Sequence, residues 1–113
     1  MPQAEILTQA EGTPVDRVTF ERSLAEPTPP AGLSPLLEAL WHERRGDWER
    51  AHEVAQDVPG RDGAWVHAYL HRREGDPSNA AYWYRHAGQP VANGSLDEEW
   101  RQIVEALLEK GSG

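Results

Sequence analysis

A six-residue stretch, Gly46-Asp47-Trp48-Glu49-Arg50-Ala51, is echoed 29 residues later as Gly75-Asp76-Pro77-Ser78-Asn79-Ala80. The correspondence continues upstream at the same offset, pairing Ala39 with Ala68, His42 with His71 and Arg44 with Arg73. A Gly-Asp pair between two stretches of helical period ends one helix and begins another. The glycine takes the left-handed position after the first helix, and the aspartate meets the free amides and positive dipole end of the second. A chain that writes helix, corner, helix twice is held to stacked helix pairs, with its remaining segments as lead-in, joint and cap.

Along the chain, residues 1–32 read as an N-terminal arm. Thr13-Pro14 offers an N-cap and a first-turn proline, Val15, Val18, Phe20 and Leu24 give partial helical spacing over 15–25, and Pro27-Thr28-Pro29-Pro30 makes a stiff linker. The helical domain spans 33–110. Leu33, Leu36, Leu37, Leu40 and Trp41 repeat at i, i+3, i+4 on a helix opened by Ser34-Pro35. Trp48, Ala51, Val54, Ala55 and Val58 form the face of the next, which Pro59-Gly60 ends. Asp62 or Gly63 opens a third helix facing inward with Trp65, Val66, Tyr69 and Leu70, and the fourth does so with Ala80, Ala81, Trp83, Tyr84 and Ala87. Ser95 and Glu98 are spaced as a capping box before a last amphipathic helix carrying Trp100, Ile103, Val104, Leu107 and Leu108. Residues 111–113, Gly-Ser-Gly, read as a disordered tail.

On these residues the chain resembles the tetratricopeptide family over roughly 33–88: Ala68, Gly75, Ala80, Tyr84 and Ala87 in the second unit, and Ala39, Gly46, Trp48, Ala51 and Ala55 in the first. The resemblance implies an all-α fold of two antiparallel helix hairpins with a C-terminal capping helix, and a protein or peptide partner. Two departures accompany it. The offset of 29 is shorter than the usual ~34, and two units are fewer than the ~3 such arrays need, so the last helix must cap the stack. The Pro-Pro-Ala-Gly-Leu-Ser lead-in and the stretches 65–72 and 81–85 are also similar to small bacterial and fungal proteins of unassigned function, which implies no mechanism.

Three sets of residues carry chemistry. His67 and His71, four apart, project from one helix face as a half-site for zinc or nickel, with the repeat-equivalent His42 as third ligand and Glu38, Glu43 or Glu74 completing the shell. The bland alternative is three partly buried histidines bonded to backbone or carboxylates. Tyr82-Trp83-Tyr84-Arg85-His86 exceeds what one buried stripe can hold, so Tyr82, Arg85 and His86 are expected to meet solvent or a partner, or, on the blander reading, Tyr82 lies over the final helix and Arg85 pairs with a surface acid. Arg72 and Arg73, beside Trp65 and Tyr69, could grip a partner's carboxylates, or simply answer the helix dipole.

Composition narrows the classes. A net charge of −8 opposes nonspecific nucleic-acid and anionic-membrane binding. No cysteine is present, so disulfides and thiolate metal sites are excluded, and no apolar run approaches the ~18 residues of a membrane span. With no basic-then-apolar leader at the N-terminus, a cytoplasmic location is expected. Phosphate loops, nucleophile elbows and dinucleotide fingerprints are absent. The reading is a non-enzymatic interaction module with no cofactor, binding through Trp65, Tyr69, Arg72, Arg73, Tyr82, Arg85 and His86. Metal or small-ligand binding through His42, His67 and His71 is the first alternative, and a homodimer closed by surplus aromatics, five Trp to one Phe, is the second.

Overall fold

The computed structural model describes residues 15–111, which contain six α-helices and, among the described residues, no strand. They are α1 (Arg17–Arg22, followed by a 3-10 turn at Ser23–Ala25), α2 (Pro35–Arg44), α3 (Trp48–Gln56), α4 (Arg61–Arg73), α5 (Pro77–Ala87) and α6 (Leu96–Gly111). Helices α2 and α3 form one antiparallel pair and α4 and α5 a second, with α3 against α4 between them. The all-α class and the two helix pairs are therefore as the sequence implied.

The two corners share backbone conformation and cap hydrogen bonds. Gly46 and Gly75 take φ of 92° and 88°, a region where a β-carbon costs about 1–2 kcal/mol. Asp47 accepts from the Arg50 amide at 3.1 Å and Asp76 from the Asn79 amide at 3.2 Å. The amides of Asp47 and Asp76 in turn donate to the His42 and His71 carbonyls, both at 2.9 Å. The joint between the pairs is tight for a different reason. A β-carbon on Gly63 would lie 2.0 Å from the Val58 carbonyl oxygen, so only glycine lets α4 start this close to the end of α3. Helix α4 accordingly begins at Arg61, just ahead of the expected Asp62 or Gly63.

Helix α6 crosses α2 and α4, and α1 lies on α6. The main core gathers Leu36, Leu37, Leu40 and Trp41 of α2, Val66, Tyr69 and Leu70 of α4, and Trp100, Ile103, Val104 and Leu107 of α6. Burial of each large apolar side chain contributes about 1.5–3 kcal/mol. The Trp100 indole N–H donates to the Leu40 carbonyl at 3.2 Å, fixing α6 on α2. Phe20 of α1 is fully buried, its ring 5.7 Å from Trp100, and the Trp41 indole donates to the Ser23 hydroxyl at 3.1 Å. Residues of α1 and the 3-10 turn thus pack against α6 and α2. Helix α1 is capped by Asp16, which accepts from the Thr19 amide at 2.8 Å; Thr13 and Pro14 lie outside the described residues, as does the rest of 1–14. The capping box forms as expected, Glu98 N–H to Ser95 Oγ at 3.0 Å and Ser95 N–H to Glu98 Oε1 at 3.4 Å. Gly111, expected in the tail, is the last residue of α6. No described helix is long and apolar enough to cross a membrane.

Candidate functional site

Where α3, α4 and α5 meet, away from α6, the chain brings together aromatic and imidazole rings. Ala51 and Ala55 of α3 are buried in the main core, and α3 packs against α4. That packing carries His52, one turn after Trp48, onto His67 and His71 of α4. The three imidazoles each present a ring nitrogen within 4.8 Å of the other two. The His52 and His67 Nε2 atoms are 2.9 Å apart, and the His67 and His71 rings stack at 4.8 Å. His67 and His71 are each 7% exposed, and His52 is half-buried.

The surroundings orient the rings. Trp48 stacks on His52 at 4.8 Å and 12°, and Trp83 of α5 stacks on His67 at 4.0 Å and 14°. The Trp48 indole N–H is anchored on the Leu70 carbonyl at 2.7 Å, so that wall is fixed to α4. Glu74 Oε2 lies 2.8 Å from His71 Nδ1. A carboxylate only accepts, so Nδ1 carries the proton and the Nε2 lone pair is what His71 has to offer. Between His52 and His67, one Nε2–H meets the other's lone pair, and a shift of that proton to Nδ1 frees both nitrogens. Burial, then the neighbouring imidazoles, lowers the His67 pKa from 6.5 to about 4. Burial followed by His71 also lowers that of His52. Both rings are therefore neutral at neutral pH, the form a metal requires.

A tetrahedral zinc with bonds of about 2.0–2.1 Å sets its donors roughly 3.3–3.4 Å apart. The 2.9 Å His52–His67 separation needs only a few tenths of an ångström of opening, within the reach of side-chain torsions. The donor set and its carboxylate support fit a borderline cation.

The sequence-derived sets fare differently. His67 and His71 are brought together as expected, but His42 is not the third member. It lies on α2, its ring against Trp41 at 5.2 Å, and His52 takes the place assigned to it. The His42 carbonyl accepts the Asp47 amide at the first corner as the His71 carbonyl accepts the Asp76 amide at the second, so the two histidines do not lie side by side. Of the partner residues, Tyr69 is fully buried and donates to Glu43 at 3.1 Å, so it presents nothing to a partner. Arg73 meets Glu43 at 3.1 Å, and Arg72 meets Glu99 at 2.7 Å and the Gly94 carbonyl. Both guanidiniums are engaged by acids of the same chain, Arg72 half-buried and Arg73 exposed, and Trp65 is half-buried against both core clusters. Tyr82, Arg85 and His86 are exposed on one face of α5, and Tyr82 packs against His86 at 4.4 Å.

His52, Trp48 and Trp83 were missed as site residues. The available signal was the i, i+4 spacing of Trp48 and His52 at the edge of the Ala51–Ala55 stripe. No family model matches this chain, and no curated protein or solved structure matches it either.

Proposed function

We propose that this protein binds a divalent cation of the zinc class through His52, His67 and His71, on a scaffold of two tetratricopeptide-like hairpins. The observation that carries the reading is the convergence of three imidazoles from two hairpins, with Glu74 fixing His71 and burial keeping His52 and His67 unprotonated. The scaffold reading rests on the matching backbone at the Gly46-Asp47 and Gly75-Asp76 corners. Three neutral nitrogens and no carboxylate or thiolate in the inner set favour zinc, nickel or copper over calcium or magnesium. Calorimetric titration with zinc and with magnesium tests this. One zinc per chain is expected, no magnesium heat, and no zinc heat after His67→Ala with His71→Ala; a wild-type chain silent to zinc ends the proposal.

A second reading keeps the protein-binding role and moves it to α5, where Tyr82, Arg85 and His86 share one exposed face. Tyr82→Ala with Arg85→Glu should abolish capture of any protein or peptide partner while preserving helical circular dichroism. Undiminished capture would remove that face from consideration.

A further inference from the structure

We infer that the loaded centre keeps a fourth coordination position open to solvent and takes a small monodentate anion there, of the carboxylate type. The inference rests on the three-histidine reading above and adds to it the ligand the metal would hold. Among the described residues, His52, His67 and His71 are the donors that converge; the neighbouring group of His71, Glu74 and Asp76 shares only His71, whose Nδ1 is already held by Glu74. His86 lies outside both groups, its ring against Tyr82 and Trp83. A four-coordinate cation therefore finds three protein nitrogens and one vacancy, the arrangement of reactive rather than purely structural zinc sites.

Charge selects the occupant. Three neutral imidazoles leave the 2+ charge uncompensated, and Glu74 acts one bond further out, through His71. The walls are the indoles of Trp48 and Trp83, which offer little solvation to that charge, so an anion gains more there than in water. Access selects its size. His52, Trp48 and Trp83 are half-buried and border the surface, while His67 and His71 are each only 7% exposed. A small anion reaches the metal past this rim; a bulky one meets the two rings.

The test uses the full chain loaded with cobalt(II), whose visible bands report coordination, titrated with azide and then with azide in the presence of acetate. The expected result is a saturable change in band position and intensity with azide, and a several-fold rise in its half-saturation when acetate competes. Cobalt bands that ignore azide would overturn the open position while leaving the three-histidine centre standing. Loss of the bands, meaning the anion strips the metal, would overturn it equally. A chain that develops no bands with cobalt at all would fail the metal reading itself, and this inference with it. His52→Ala, which removes a protein donor, should abolish the tetrahedral bands; their persistence with an unchanged azide response would also overturn the assignment.

Discussion

On one side of α4, Tyr69 and Arg73 meet Glu43, and Arg72 meets Glu99 together with Tyr84; on another, His67 and His71 meet His52 and two indoles. Both clusters bury polar groups, and they do so in opposite ways. The first is a closed set of acids, hydroxyls and guanidiniums in which nearly every donor finds its acceptor. Burial raises Glu43 above the usual carboxylate range despite Arg73, and burial raises the Tyr69 and Tyr84 hydroxyls, so both remain protonated donors. Only Glu43 Oε2 lacks an aligned hydrogen bond, and it sits in charge contact with Arg73. The second cluster carries no formal charge on His52 or His67; one Nε2–H of that pair meets the other's lone pair, and His71 is held at Nδ1 by Glu74. Used-up polar groups hold a fold together, whereas convergent lone pairs can accept a ligand.

That contrast can be broken at either cluster. The largest effect on stability is expected from Glu99→Ala, which strands the buried Tyr84 hydroxyl and removes the partner of Arg72: about 3 kcal/mol in chemical unfolding, with zinc affinity unchanged. A loss of zinc binding with intact stability would show that the two clusters are not separate. Glu74→Ala should do the reverse. Its half-exposed side chain contributes little to folding, but release of His71 Nδ1 should weaken zinc binding about 10–100-fold by competition titration. Equal affinity would mean that Glu74 does not orient the ring.

Acidification gives a graded effect on the fold. The folded-state pKa of His67 is depressed from 6.5 to about 4, so its contribution to stability is intact above 6.5 and is lost as pH falls towards 4, while the unfolded chain takes up a proton that the folded chain refuses. Metal-free protein should lose about 3 kcal/mol over that window, and the loss should shrink in His67→Ala. A variant with the same acid profile as wild type would place the loss in other groups.

The sequence made some of this legible and hid the rest for definite reasons. Glycine followed by aspartate needs no tertiary partner to act as a helix stop and start, so both corners could be read directly. The capping box at Ser95 and Glu98 was local in the same sense. The pair His67 and His71 could be read because both lie on one helix four residues apart. The third imidazole could not, because the place of His52 beside His67 depends on how α3 packs against α4, a tertiary contact. The 29-residue offset suggests His42 instead, but His42 lies on α2 against Trp41 and not beside His71. The roles of Arg72 and Arg73 were hidden likewise. Their partners are Glu99 of α6 and Glu43 of α2, 27 and 30 positions away, and burial of those acids is decided by the packed core. Gly63 gives no sequence signal beyond a possible helix start, though it is the close approach of Val58 that requires it.

Zinc titration of two single variants decides most directly whether the imidazoles of α3 and α4 make the centre. His52→Ala should lose zinc binding at neutral pH, and His42→Ala should bind one zinc per chain with wild-type affinity. Retained binding by His52→Ala, or loss by His42→Ala, would contradict the account.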